Sequence, residues 1–203
     1  MSRGRPREFD TSEALDRALA LFAREGFEQA SVQALAEYMG ICKPSLYAAY
    51  GNKETLFIEA VRRYAERGDA ERSRLLNEAP DVHEAIAALL RASARAVTGG
   101  ERTGCLVVAE AASQRATYPP AVRDALADAM ARGDTMLRER LVRAQHEGQL
   151  DAGTDVDTMV RFFVAVMSGM AVQARAGATY EELCTTAELA ARLWRTAPAA
   201  SAH

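Results

Sequence analysis

Three sets of residues in this 203-residue chain could do chemistry: a group of cations toward the N-terminus, three cysteines and three histidines. Arg3, Arg5 and Arg7 precede the first acid, Glu8, and Lys43 and Lys53 stand ten positions apart on either side of a short segment. Cations placed this way can bind phosphates. The formal net charge of −3 does not forbid it, because a local basic surface sets the local potential. Cys42, Cys105 and Cys184 are too few and too scattered for a disulfide framework, which points to a reducing cytoplasm. Cys105 follows Gly104 at an expected helix start, where the helix dipole can lower a thiol pKa. It reads either as a reactive thiol or as a small buried apolar residue.

Catalytic arrangements are not found. His83, His146 and His203 are far apart, and none pairs with a cysteine at zinc spacing. Gly99 and Gly104 have the outer spacing of a phosphate loop, but Cys105 and Leu106 stand where lysine and a hydroxyl residue are required. The many carboxylates accompany arginines on what read as solvated helix faces. The chain is therefore not expected to be an enzyme, and no catalytic residue, metal or cofactor is assigned.

The elements that must position these residues are helices. Alanine, leucine, glutamate and arginine are abundant, prolines number only six, and no convincing alternating apolar run marks a strand, so the fold class is all-α, with about nine helices. The first helix is expected over 11–25, with Leu15, Leu19 and Phe22 on one stripe and Gly26 past its end. Ser31 caps a second helix, Gly40 makes a turn, Ile41 plugs it, and a third helix covers 43–50 with Pro44 in its first turn. Leu46 then faces inward, leaving Lys43, Ser45 and Tyr47 outward. Two short helices joined by a glycine turn and packed on a longer first one form a helix-turn-helix. Residues 1–52 are read as the N-terminal arm and this unit. Residues 53–203 are read as a second unit, entered through a long connecting helix over 53–77. Further helices are expected over 82–97, 105–115, 119–147, 156–174 and 180–195.

No run reaches the roughly 18 consecutive apolar residues of a membrane span, and no apolar core follows the basic N-terminus as a secretory signal requires. Residues 156–174 are nonetheless apolar nearly all round, and such a helix needs cover on two sides. One side can be the core. The other is expected to meet a second subunit through Phe162, Val166, Ser168, Gly169 and Met170, with Leu183, Ala187, Ala190 and Trp194 of the last helix completing a four-helix dimer interface.

The stretch 34–61 resembles the signature of the TetR/AcrR family of bacterial regulators. The resemblance rests on Leu35-Ala36, Gly40, Leu46-Tyr47, Tyr50, Lys53-Glu54 and Leu56-Phe57, with Ala20-Leu21-Phe22, Glu25-Gly26-Phe27 and Gly4-Arg5-Pro6 upstream. It is strong over residues 8–61 and holds in outline beyond. Cys42 stands where the family commonly has serine or threonine, and Pro44 where a small residue is commoner.

The resemblance implies a ligand-responsive regulator, most simply a repressor, that binds a palindromic duplex operator as a homodimer. Its half-sites would lie one turn, about 34–36 Å, apart. The third helix would enter the major groove with Lys43 reaching a phosphate or a base edge, Pro44 and Ser45 beside it and Tyr47 on a phosphate, while Ser31, Lys53 and the basic arm residues Arg3 and Arg5 would bind the DNA backbone. It also implies an effector cavity inside the C-terminal bundle. Candidate lining residues are Tyr64, Leu89, Cys105, Val108, Ala112, Tyr118, Met130, Phe163, Met167 and Gln173, each of which could equally be packed core. A mostly apolar or aromatic small molecule is the default effector. Two rivals remain at this point: a helical ligand-binding or interaction protein without specific DNA binding, and a thiol-sensing regulator using Cys105.

Overall fold

The structure, a computed structural model, describes residues 10–99, 104–113 and 117–196. Among them run nine helices and no strand: α1 (Thr11–Gln29), α2 (Val32–Met39), α3 (Lys43–Tyr50), α4 (Lys53–Glu78), α5 (Val82–Thr98), α6 (Leu106–Ala112), α7 (Pro120–His146), α8 (Val156–Arg175) and α9 (Tyr180–Thr196). Polar side chains cap many of the starts. Asp10, Ser31, Asn52, Asp81 and Asp155 accept backbone N–H groups that helix geometry leaves unpaired. Cys42 caps α3 without any side-chain bond of this kind, as a thiol would.

Two boundaries differ from the sequence expectation by more than one residue. The first helix runs on to Gln29 across a kink at Gly26 (φ 81°, ψ 169°), because Phe27–Gln29 resume one helical turn after the glycine. The sixth helix spans Leu106–Ala112, shorter than 105–115, and stops where Ser113 turns extended.

The first core cluster gathers Leu19, Phe22, Leu35, Leu46, Leu56, Phe57 and Val61 from the first four helices. It also takes in Leu106 and Val107 of α6, Tyr118, and Val122 and Leu126 of α7. Phe22 and Phe57 are fully buried and meet edge to face at 4.9 Å, an arrangement worth about 0.5–1.5 kcal/mol beyond simple burial. The second cluster joins α5, α8 and α9 to the far ends of α4 and α7. His83 stacks on Trp194 at 4.3 Å, and Phe163 meets the same indole edge-on at 5.3 Å.

α4 ties the two clusters together. Near its start, Arg63 donates to both carboxylate oxygens of Asp16 on α1 (2.6 and 2.9 Å), and Arg67 reaches the same group at 2.6 Å. The Arg63 hydrogen bond, reinforced by Arg67, holds the Asp16 carboxyl at about 2. Farther along, Asp69 is clamped by Arg72 (2.7 Å) and by Arg132 of α7 (3.3 Å). By length and composition α8 could cross a membrane, and only 22% of its most apolar window is buried. It packs against α5, α6, α7 and α9, which leaves exposed apolar side chains at Phe162 and Val172.

Candidate nucleic-acid interface and junction cavity

α2 and α3 are set at an angle by the turn at Gly40, whose left-handed backbone (φ 73°, ψ 27°) suits glycine. The turn is closed by the Ile41 N–H donating to Ala36 O at 3.0 Å. α3 is then anchored from below. Leu46 is fully buried, and the Tyr50 hydroxyl donates to Thr11 O at 3.1 Å, pinning α3 to the start of α1. With that face committed, Lys43, Pro44 and Tyr47 are left exposed, and Tyr47 shows 49% of its surface. Ser45 is half-buried, with its hydroxyl 3.1 Å from the Cys42 sulfur, and this contact lowers the Cys42 thiol pKa. Ser31 is exposed at the N-terminus of α2, where its Oγ accepts from the Ala34 N–H. Together they offer a basic side chain, hydroxyls and, on α3, a helix N-terminus without a side-chain cap, the inventory that grips phosphates and reads base edges. Arg3 and Arg5 lie outside the described residues.

Lys53 departs from the expectation of a phosphate clamp. Its Nζ donates to Phe27 O at 2.9 Å and Glu28 O at 3.4 Å, and lies 4.6 Å from the centre of the Phe27 ring. The ammonium therefore caps the carbonyls at the end of α1 and is half-buried there. A cation at the start of α4 serves the fold here.

Next to this contact, α1, α6 and the end of α8 line a cavity of about 540 Å³ that opens to solvent. Cys105, Val108, Ala112 and Tyr118, all expected to line an effector site, come together around it. The others do not. Leu89 and Phe163 are sealed in the second core, Phe163 by its packing on Trp194. Gln173 is exposed because its neighbours Ala171 and Ala174 take the inward face of α8. Tyr64, Met130 and Met167 are half-buried elsewhere: the Tyr64 hydroxyl donates to Cys105 Sγ (3.2 Å) and the Ser93 hydroxyl to Met167 Sδ (3.2 Å). Burial, with Cys105 beside it, pushes the Tyr64 hydroxyl pKa well up.

Sequence reasoning missed the most telling wall residue, Glu110. It is buried (5% exposed), and its Oε2 accepts from the Tyr118 hydroxyl at 2.6 Å and the Phe27 N–H at 3.4 Å. Burial and this carboxyl push the Tyr118 phenol up to about 12. The available signal was its place as the one acid in the otherwise apolar run Leu106–Ala112.

The expected subunit face also needs correction. Met170, Leu183, Ala187, Ala190 and Trp194 are buried within this chain, because that stripe of α9 packs on α5 and Met170 turns into the bundle. Val166, Ser168 and Gly169 are half-buried, and a Cβ added at Gly169 would meet nothing within 4 Å. Phe162 (39%), Val172 (57%), Leu189 (47%) and Leu193 (55%) are the large apolar side chains exposed on α8 and α9 among the described residues.

Comparison with known proteins fits this architecture. Residues 14–60 match the bacterial regulatory proteins, tetR family, and residues 82–188 match the tetracyclin repressor-like C-terminal domain. The chain is 33% identical to the HTH-type transcriptional repressor ComR of Escherichia coli K12, over 95% of this chain and 92% of that one. It is 31% identical to the repressor BdcR of the same organism, over 95% and 93%. A solved structure of the TetR family transcriptional regulator CifR, a cysteine-substituted variant bound to 26-base-pair operator DNA, is 41% identical. It superposes with a TM-score of 0.86 over 94% of this chain and all of that one. With a helix-turn-helix of this geometry, and with matches that run from one end of the folded chain to the other, the protein belongs to the TetR family of bacterial regulators.

Proposed function

We propose that the protein is a ligand-responsive transcriptional repressor of the cytoplasm, acting by binding and not by catalysis. As a homodimer it holds a palindromic duplex operator through α2 and α3 and lets go when an effector enters the bundle. The observation that carries the reading is the outer face of α3. Lys43, Pro44 and Tyr47 are offered to solvent by a helix whose inner face is fixed by Leu46 and Tyr50. The operator-bound state of a 41%-identical relative supports it.

Release requires an effector that binds the DNA-free conformation more tightly than the bound one. The junction cavity suits that requirement, since its wall includes the end of α1 as well as α6 and α8. A second reading, favoured by the placement of Cys105 on this wall with the Tyr64 hydroxyl on its sulfur, is release triggered by modification of that thiol.

The test is selection of bound duplexes from a random DNA pool by the purified full-length protein at near-physiological salt. Enrichment of a palindrome is the expected result. A folded dimer that enriches nothing, with or without cell extract, would sink the reading. Alkylation with iodoacetamide that weakens operator binding in the wild type but not in Cys105→Ser would favour the thiol trigger.

A further inference from the structure

The junction cavity has a charge pattern that no stretch of sequence displays. Glu25 and Glu28, on the last turns of α1, and Glu110, on α6, line the same space. Among the described residues lining it, Arg175 is the one cation, and its aliphatic stem lies across Gly104. Val108, Ala109, Ala112, Ala171 and Val172 supply apolar wall.

Glu110 is used on one side only. Both donors that reach it, the Tyr118 hydroxyl and the Phe27 N–H, go to Oε2, and no donor among the described residues reaches Oε1. A carboxylate offers about four lone-pair sites, so half of its capacity is open. Oε1 rests against Gly26, where a Cβ would come within 2.9 Å. The absent side chain keeps the approach clear.

We propose that this cavity binds a compact organic cation, an ammonium or amidinium group on an aromatic or alicyclic body, whose N–H groups donate to Glu110 Oε1. A buried carboxylate with a free oxygen forms a short charge-assisted bond to such a donor. The volume, about 540 Å³, fits a ligand of drug or cofactor size. An anionic ligand would instead face Glu28 and Glu110, since Glu25 is already paired with Arg24 at 2.8 Å. The proposal rests on the reading of this protein as an effector-regulated repressor and assigns the effector's chemistry. A cation drawn to Oε1 pulls on the same carboxyl whose Oε2 holds the Phe27 N–H at 3.4 Å, the longer of its two existing bonds, and so acts on the end of α1 that Lys53 holds from the other side.

The experiment is isothermal titration calorimetry of the full-length protein with 1-naphthylmethylamine, using 1-naphthoic acid and 1-naphthalenemethanol as matched anionic and neutral probes. The amine is expected to bind at least tenfold more tightly than either control. Glu110→Gln should reduce its affinity tenfold or more. Ala112→Trp, which crowds the exposed rim without touching the carboxyl, should do the same and serves if Glu110→Gln does not fold. Equal binding of the acid or the alcohol overturns the proposal. So does no heat from any probe, or undiminished amine binding by Ala112→Trp. Operator affinity with saturating amine separates the two layers. A fall supports the effector role. Unchanged operator affinity, with the binding pattern intact, leaves the cation site standing and removes its regulatory role.

Discussion

At the scale of single residues, two lysines of one motif have different work. Lys43 is exposed at the start of α3, so Lys43→Ala should weaken binding to all duplexes and lower the slope of log affinity against log salt by about 1. Tyr47→Phe should weaken binding without changing the charge. Fluorescence anisotropy across a salt series reads both effects, and unchanged affinity in both would remove the proposed contacts. Lys53→Met should leave the salt slope alone and instead lower stability by about 1–3 kcal/mol, measured by urea denaturation, because the carbonyls at Phe27 and Glu28 lose their charged donor. The sequence could place a cation at residue 53 but could not say whether a phosphate or a carbonyl would take it, since both ask for the same donor. Asp16 gives a pH signature. Its pKa falls from 3.8 to about 2 on account of Arg63 and Arg67, so its stabilisation is complete above about 3.8 and fades as pH drops through about 2. Thermal melts of wild type and Asp16→Asn should therefore differ at neutral pH and converge toward pH 2.

At the scale of elements, the caps and glycines made most helix boundaries readable, and the exceptions have causes outside the local pattern. Gly26 reads locally as a helix terminator, yet α1 resumes because the Phe27 N–H finds a distant acceptor in Glu110. Gly26→Ala should cost about 1–3 kcal/mol, since a side chain there adopts φ 81° with difficulty and meets the Glu110 carboxyl. Urea titration checks it, and a loss of less than about 0.5 kcal/mol would contradict the strain argument. α9 shows the opposite limit. It carries a wide stripe at Leu183, Ala187, Ala190 and Trp194 and a narrow one at Leu189 and Leu193, and periodicity alone does not say which is covered by its own chain. The packing of α5 takes the wide stripe and leaves the narrow one outside.

At the scale of the whole molecule, the exposed face of α8 and α9 is where a second subunit is expected. Phe162→Glu and Leu189→Glu should shift the protein toward monomer in sedimentation, with circular dichroism unchanged and operator affinity lost. Retained dimers would send the interface elsewhere. The helix-turn-helix was legible in the sequence because its residues are near neighbours along the chain. The cavity was not, because Glu25 and Glu28 meet Glu110 only after some 80 residues of intervening fold. That same long reach bears on how the chain folds. Phe27 sits between Phe57 of the DNA-facing half and Tyr118 of the other, and its N–H is satisfied only once α6 has docked. A fragment ending with α4 would leave that N–H without its acceptor and the first core without Leu106, Val107, Val122 and Leu126. The helix-turn-helix is therefore expected to lose structure together with the bundle, as one cooperative transition in which the circular dichroism and Trp194 fluorescence of a urea titration coincide.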